Sequence, residues 1–526
     1  MTMKKTTLIL VLLCAAFLPA RDLTLREAVE LTLKENLGLR LDRLSLETGR
    51  FTLEGARGIF DPVLGVDLRT STQESPSTWQ LQGAEVFESE NAGVNFSLGQ
   101  VLPTGGRYSL NWNNGRTESN SSFYYLNPSY SAGFSLSLSH PLLQGFGTDI
   151  TNRPILAARY SYNQSLSDFR RSLEIKVLEV ETAYWNLYFA QEDLLVKQKD
   201  LELAQEFLKI TQRKIEVGTE APINVYSAQV GVAVREEAII SAEASLKNAR
   251  DVMAKLLHLG QAQWDDPLVA VEAPDTDTVL PTEEEALATA YAKRAELVRL
   301  DWQKELQRLS LLAAKNAMLP GLDLSLTYGY SGVGGDYVVR DSQGNIIEVL
   351  PGGWNDAWGQ VSGTDYPNWS AALVFSFPLG NRSASADKRS AEVGMELLSL
   401  QEVQIKEVIL LEVRAALRAV ETARKSLAAA QESRLLAEKN LEAERKRYDN
   451  GLSTNYQVLL VQKDLSDAAT RLILAESNLR KAFASCQYTL GALLEFEGVE
   501  VEVPEYDTAG LKSPKFLQYG NYVGSP

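Results

Sequence analysis

Residues 134–139 read Phe-Ser-Leu-Ser-Leu-Ser, an alternation of large apolar and small polar side chains. Successive side chains of a β-strand point to opposite faces, so this stretch predicts a strand with one apolar and one polar face. Five further segments alternate in the same way. Their apolar members are Leu64, Val66 and Leu68; Val94, Phe96 and Leu98; Tyr108, Leu110 and Trp112; Leu322, Leu324, Leu326 and Tyr328; and Trp369, Ala371, Leu373, Phe375 and Phe377.

Short strands with an apolar and a small polar face are typical of transmembrane β-barrels, with lipid outside and water inside. A soluble β-sandwich alternates too. It fits less well, because it would not interrupt two long helical hairpins with polar loops as long as 331–367. A barrel in lipid must close, and six strands cannot enclose a useful pore. Several identical chains are therefore expected to share one barrel.

The segments between the strands carry apolar heptads, which predict long coiled-coil helices with close helix approach. The helices at about 155–217 and 384–449 would each be roughly 90 Å long. Heptads alone would favour a soluble coiled-coil rod, and the strands decide against it. The first heptad series consists of Leu166, Leu173, Val180, Leu187, Leu194, Leu201, Leu208 and Ile215.

The pattern restarts halfway along the chain, which predicts two tandem copies of one unit. Thr24 to Ala28 resembles Thr282 to Ala286, and Gly218 falls opposite Gly451 when 212–229 is set on 445–462. The predicted first repeat, residues 21–260, has short helices, strands at about 60–140 and a helical hairpin at about 153–260. The predicted second repeat, residues 261–495, has helices at about 282–318, strands at about 321–378 and a hairpin at about 383–493.

Residues 1–20 are predicted to be a secretory signal peptide. Lys4 and Lys5 precede an apolar stretch at 6–17 that is too short to span a bilayer. Lipidation at Cys14 is disfavoured, because a leucine precedes it where such sites need a small residue. No later segment approaches the roughly 18 apolar residues of a transmembrane helix, so any membrane-spanning part must consist of strands.

Charge and reactive residues exclude several functions. The net charge of −16 argues against a nucleic-acid partner, because phosphate binding needs a basic face. His140 and His258 have no cysteine or histidine at metal-ligand spacing. Gly332 to Gly335 lack the lysine and serine of a phosphate loop. Cys486 lies at a heptad core position, where packing is its expected role. We therefore predict no enzyme, no cofactor and no metal site.

The order and duplication of several short motifs resemble the TolC family of outer-membrane efflux proteins, over about residues 24–495. Each motif is weak alone, and their spacing makes the match specific. The motifs are Leu23 to Val29, Phe60-Asp61-Pro62, Pro141-Leu142, Phe377 to Arg382, Val217-Gly218-Thr219 and Tyr448 to Ser453.

The resemblance implies an α+β membrane protein: a homotrimeric transmembrane β-barrel in outer-membrane lipid, continued by a periplasmic α-helical coiled-coil barrel. An equatorial region would include 261–300 and the tail 496–526. The resemblance implies passive exit of substrates in a tripartite efflux or type I secretion system. A periplasmic adaptor would connect the channel to an inner-membrane pump of RND or ABC type.

Strand number is the departure from this family, whose members usually contribute four strands per protomer and twelve in all. This sequence offers six. The middle pair at 91–115, joined at Pro103 to Gly106, either enlarges the barrel to eighteen strands or folds against it.

The helix-hairpin turns are the candidate functional sites. Their glycines are also ordinary helix ends, and Asn224 and Gln457 can equally be solvated helix-start residues. Family members often carry aspartates after these turns, and this chain has Asn224 and Gln457 instead, which weakens any cation block. The expected adaptor-docking tips are Val217, Gly218, Thr219, Gly451, Leu452 and Ser453. The expected gate residues are Asn224, Tyr448, Gln457 and Leu460.

The alternative is a structural or adhesive outer-membrane coiled-coil protein without a conduit. Conductance of the purified protein in planar bilayers would separate the two functions. The transported substrate is not encoded in any motif of the sequence.

Overall fold

A computed structural model describes residues 21–77, 83–264, 266–276, 279–341 and 345–499. The predicted signal peptide, Cys14 and most of the predicted tail lie outside the described residues. The chain divides into two compact units. We call residues 21–46, 165–299 and 401–499 the helical unit, and residues 47–164 and 300–400 the sheet unit.

Two pairs of short helices are built in the same way and show the duplication directly. α1 (Leu25–Glu35) and α6 (Glu283–Lys293) have 11 residues each and begin with a capping box. Thr24 Oγ1 accepts a hydrogen bond from the backbone three residues later at 3.2 Å, and Thr282 Oγ1 does so at 3.3 Å. The helices that follow are α2 (Leu37–Arg57) and α7 (Ala295–Ala317).

The two predicted long hairpins are present. After the four-residue α3 (Thr148–Thr151), α4 (Arg153–Glu216) has 64 residues, and its counterpart α9 (Arg382–Asp449) has 68. The returning helices are α5 (Asn224–Leu256) and α10 (Asn455–Thr489). Each hairpin has its own apolar core at the heptad positions. The first core includes Leu173, Val180, Leu187, Leu246 and Met253, and the second includes Val413, Val420, Leu427, Leu472 and Leu479.

A two-stranded parallel sheet in the helical unit was not predicted. β1 (Arg21–Leu23) pairs with β6 (Leu268–Ala270), and Leu23 and Leu268 lie in the first core beside the short helix α11 (Leu493–Phe496). Strands of three residues are too short to show a period in the sequence. Their position is set by burial against the first core.

The sheet unit contains one antiparallel sheet in which six long strands follow one another in chain order. They are β2 (Val63–Pro76), β3 (Val86–Val101), β4 (Arg107–Ser119), β5 (Leu126–Pro141), β7 (Gly321–Arg340) and β9 (Pro367–Ser376). The short strand β8 (Ile346–Leu350) pairs with the far end of β7.

The register separates the two faces of this sheet completely across its middle rows. Residues paired across antiparallel strands share a face. One row on the apolar face runs through Leu64, Leu98, Leu110, Leu136, Tyr328 and Trp369. The neighbouring row on the opposite face runs through Gly65, Ser97, Asn111, Ser135, Gly329 and Asn368.

The middle hairpin, β3 and β4, is part of this sheet, between β2 and β5. Its turn is anchored as well. Thr104 Oγ1 lies 2.8 Å from His140 Nε2, and the Gly147 N–H donates to Thr104 O at 3.0 Å. Gly105 has a φ of 99°, which the tight turn requires. Of the two alternatives for 91–115, the structure has the one that widens the sheet.

Residues 331–367 are not the polar loop that the sequence predicted. β7 continues to Arg340, β8 follows, and a helix, α8 (Trp354–Gly363), precedes β9. The prediction was wrong because the apolar alternation ends after Tyr330, where glycines at 332, 334 and 335 interrupt it.

Among the described residues, no helix combines the length and the apolar character needed to cross a membrane.

The register predicts which side chains of the middle hairpin meet lipid. Single cysteines at Phe96 and Leu110 should react with a lipid-phase probe, because both residues lie on the apolar face. Matched cysteines at Ser97 and Asn111, one residue further along, should react with an aqueous reagent. Equal aqueous labelling at all four positions in membrane-inserted protein would show that this hairpin is not lipid-facing.

Candidate functional site

The chain reverses direction after α4 and after α9, and each reversal contains a glycine in the left-handed region. Gly218 has a φ of 77° and Gly451 a φ of 72°. Side chains with a Cβ avoid this conformation. No atom lies within 4 Å of the position that a Cβ would take at either glycine. Glycine is therefore required here by the backbone conformation and not by packing.

The first turn is a Schellman motif. The Thr219 N–H donates to Lys214 O at 2.8 Å, and the Gly218 N–H donates to Ile215 O at 3.0 Å. Thr219 Oγ1 donates to the same Lys214 carbonyl at 3.0 Å. The side chain of Val217 is left outside, 73% exposed.

The second turn repeats this arrangement. The Leu452 N–H donates to Arg447 O at 2.8 Å, and Leu452 is 78% exposed. Ser453 Oγ donates to the carboxylate of Glu444, which is buried. Thr454 then caps the start of α10. The two turns share these hydrogen bonds, and each presents exposed apolar side chains, Val217 and Ile223 at the first turn and Leu452 at the second.

Tyr448 connects the two turns. It is 5% exposed, and its hydroxyl donates to Glu220 Oε2 at 3.3 Å. Its ring centroid lies 5.3 Å from that of Phe207 and 3.7 Å from Lys214 Nζ. The same Nζ lies 3.7 Å from Asp449 Oδ1. The buried side chain of Tyr448 on α9 thus contacts both the end of α4, through Lys214, and the first turn, through Glu220.

Burial raises the pKa of Tyr448 to about 12, and the Glu220 and Asp449 carboxylates also raise it, against a hydrogen bond with Thr211 that lowers it. The phenol therefore remains protonated near neutral pH. It can donate to the Glu220 carboxylate continuously.

The predicted gate residues are only partly brought together. Glu220 bridges two of them, because Asn224 Nδ2 donates to its other carboxylate oxygen while Tyr448 occupies the first. The Asn224 carbonyl also accepts a hydrogen bond from Asn455 Nδ2 at 3.5 Å. Gln457 is exposed, and Leu460 is 39% exposed.

Residues that the sequence did not single out complete the network. Lys214 and Glu220 lie far from Tyr448 in the chain, and no local pattern joins them. Arg235, by contrast, could have been found from the sequence. It lies seven residues from both Ala228 and Ala242 on α5, so it stands where the heptad series otherwise has alanine. Its Nε lies 3.0 Å from Asp200 Oδ1 on α4, with both side chains nearly buried.

A second polar link lies further along the same helices. Lys197 Nζ on α4 donates to Thr470 Oγ1 on α10 at 3.0 Å, and Thr470 Oγ1 donates to Asp193 Oδ1 at 2.8 Å. Polar links between helices therefore occur at intervals along the hairpins, in addition to the apolar contacts.

Comparison with known families identifies the chain. The family model described as outer membrane efflux protein matches residues 106–257 and 285–492, one segment in each predicted repeat. The chain belongs to the outer membrane efflux protein family. A search of curated proteins finds no match.

Solved structures show the same fold as this outer membrane efflux protein. The outer-membrane channel OprN superposes with a TM-score of 0.63 at 17% identity, covering 89% of this chain and 90% of that one. The CmeC outer membrane channel of Campylobacter jejuni has a TM-score of 0.59 at 16% identity, with 89% and 86% coverage. The MtrE outer membrane channel of Neisseria gonorrhoeae, in an open state, has a TM-score of 0.59 at 17% identity and 89% coverage of both chains.

The resemblance seen in the sequence is thereby confirmed. This efflux protein is an outer-membrane channel of a tripartite system that extends into the periplasm. Its tandem duplication agrees with the two matched segments and with the paired capping boxes.

Tyr448→Phe should loosen the turns without unfolding the protein. Loss of one hydrogen bond costs about 1 kcal/mol, which raises local opening roughly fivefold. Amide hydrogen exchange near 211–220 and 448–455 should accelerate accordingly. Tyr456→Phe is the matched control, because Tyr456 is 69% exposed.

The pH dependence of this effect follows from the raised pKa of Tyr448. A phenol whose pKa is raised in the folded state stabilises that state below its ordinary pKa of about 10. This stabilisation by Tyr448 is lost as the pH rises through about 12. Unchanged exchange in Tyr448→Phe at neutral pH would show that the phenol does not hold the turns.

Proposed function

We propose that three copies of this chain share one eighteen-stranded barrel. β2 and β9 are the edge strands of the sheet and run in opposite directions. β9 of one copy can therefore pair antiparallel with β2 of the next. An unpaired edge in lipid costs several kcal/mol for each unsatisfied backbone group. Homologues in this family form trimeric channels that work with adaptors and inner-membrane pumps, which supports three copies.

The purified protein should be a trimer in detergent. Light scattering corrected for bound detergent should report three chains of the mature mass. A stable, conducting monomer would contradict the shared barrel, because six strands leave two open edges.

Eighteen strands give a wide conduit. Barrel diameter grows roughly linearly with strand number, so the barrel would be about half as wide again as one of twelve strands. Serine, asparagine and glycine line the polar face. The barrel would therefore set little restriction on cargo, and selection would occur at the periplasmic turns and in the pump.

We assign adaptor docking to the two turns, at Val217, Gly218 and Thr219 and at Gly451, Leu452 and Ser453. The supporting observation is that each turn presents an exposed apolar side chain, Val217 before Gly218 and Leu452 after Gly451, on Schellman motifs with the same hydrogen bonds. Two turns per chain would give six docking contacts on a trimer. The adaptor would in turn connect to an inner-membrane pump of RND or ABC type.

Gly218→Val combined with Gly451→Val should abolish export while trimer assembly and membrane insertion persist. Left-handed backbone costs a residue with a Cβ about 1–2 kcal/mol at each position, and the space around both glycines is open. The strain therefore falls on the turns alone. The double variant should also retain less adaptor in a pull-down.

Gly260→Val is the control for this experiment. Gly260 lies in the same helical unit with a φ of −61° and has no atom within 4 Å of the added Cβ. It should export normally. Export at the wild-type level in the double variant would place the adaptor elsewhere on the long helices.

We further propose that Tyr448, Asn224, Gln457 and Leu460 belong to the periplasmic gate. The Glu220 bridge between Tyr448 and Asn224 supports a closed state held within one chain. Asn224 and Gln457 are neutral, so this gate would lack a carboxylate ring, and cations would block it weakly.

A further inference from the structure

The helix α8 lies against the apolar face of the sheet and not against the polar face. Its buried residues Ala357 and Val361 pack on Ala132 of β5. Ala132 is paired with Asn114 on one side and with Gly332 on the other. This row lies two residues beyond the row of Trp112, Phe134 and Tyr330 and shares its face, because the side chains of a strand alternate.

The sheet is shaped to receive this helix. A Cβ at Gly332 would lie 2.0 Å from Ala357 O, and one at Gly334 would lie 2.2 Å from Gly353 O. Gln360 fixes the helix to the edge of β7 that β9 leaves unpaired. Its side chain donates to Val333 O at 2.9 Å and accepts from the Val333 N–H at 3.0 Å.

The tryptophans of α8 extend the apolar face with aromatic rings. The Trp358 ring centroid lies 4.9 Å from that of Trp112, and Trp358 Nε1 donates to Asn114 Oδ1 at 2.9 Å. The Trp354 ring centroid lies 5.2 Å from that of Tyr130. Indole and phenol groups of this kind are enriched at the headgroup level of membranes.

The position of α8 along the strands agrees with that level. The apolar row nearest the helix-linked end of β7 contains Leu322, and α8 rests on Gly332, ten residues further. At about 3.3 Å per residue and a tilt of about 40°, ten residues rise roughly 25 Å, the height of the apolar band of an outer-membrane barrel. The helix therefore lies at the outer margin of that band.

We propose that α8 is an interfacial anchor in the headgroup region of the outer leaflet, on the outside of the barrel. The proposal rests on the proposed barrel. The exposed side of the helix carries Asn355, Asp356, Gly359 and Ser362 and faces the headgroups, while Trp354 and Trp358 lie at the boundary with the acyl chains. Since α8 occupies the lipid-facing side, it does not plug the pore.

The test is tryptophan quenching in the full-length trimer, reconstituted into phosphatidylcholine vesicles brominated either near the headgroup or near the chain end. Trp354→Phe combined with Trp358→Phe keeps the aromatic packing and removes two of the eight tryptophans. Headgroup-level bromines should quench a smaller share of the variant's fluorescence than of the wild type's. Acrylamide quenching from water should change little.

Gly332→Val tests the seating of the helix with both tryptophans present. The added Cβ meets the Ala357 carbonyl, so α8 should lift from the sheet. Headgroup quenching should fall and acrylamide quenching should rise in a variant that still elutes as a trimer. Gly359→Ala is the matched control on the exposed side, where a Cβ meets no atom within 4 Å, and should behave as wild type.

Two results would overturn the proposal, and they are distinguishable. If the double tryptophan variant loses acrylamide quenching and keeps headgroup quenching, the two indoles face water and α8 is not an anchor. If chain-end bromines fail to quench the wild type at all, Trp112 and Trp369 on the apolar face are not in lipid, and the barrel itself is wrong.

Discussion

The constraint on which this architecture depends is that every backbone N–H and C=O in lipid must be paired. Within the chain, each long strand pairs with its neighbours in the sequence, and this pairing satisfies the constraint between the six strands. It remains unsatisfied at the outer edges of β2 and β9. Because the number of antiparallel strands is even, β9 of one copy can pair antiparallel with β2 of the next. Association of identical copies therefore pairs the edges that one chain leaves open.

The tandem duplication gives the two helical hairpins the same construction. Thr24 and Thr282 start equivalent helices with equivalent capping boxes, and Gly218 and Gly451 end equivalent long helices in Schellman motifs. Each copy buries its own heptad core. The copies differ most in their strands: the first supplies four long strands and the second supplies two, with α8 added. The widening of the sheet thus comes from one copy alone.

The sequence predicted the features that repeat with a period. Alternation placed Phe96 and Leu110 on the face where the register has them, and heptads predicted the long helices, because burial on one face imposes both periods. It missed β1 and β6, because they are too short to show a period. It also missed α8, because the helix is positioned by glycines of the sheet that leave room for it and not by a pattern within the helix. At the turns it found Gly218 and Gly451. It missed Lys214 and Glu220, because their contacts with Tyr448 join residues more than two hundred positions apart.

The distribution of polar contacts gives the proposed gate its physical basis. In the two heptad cores, separation of the helices would expose leucine and valine side chains at about 1.5–3 kcal/mol each. Near the turns there is a small apolar cluster of Phe207, Tyr448 and Val458. The Tyr448–Glu220 hydrogen bond and the partly exposed Lys214–Asp449 ion pair add about 1 kcal/mol each. Water can replace the polar contacts and cannot replace the apolar ones. The end where an adaptor would bind has only a small apolar cluster, so the binding free energy of the adaptor has to break that cluster and a few polar contacts, while the two larger cores keep the helices paired.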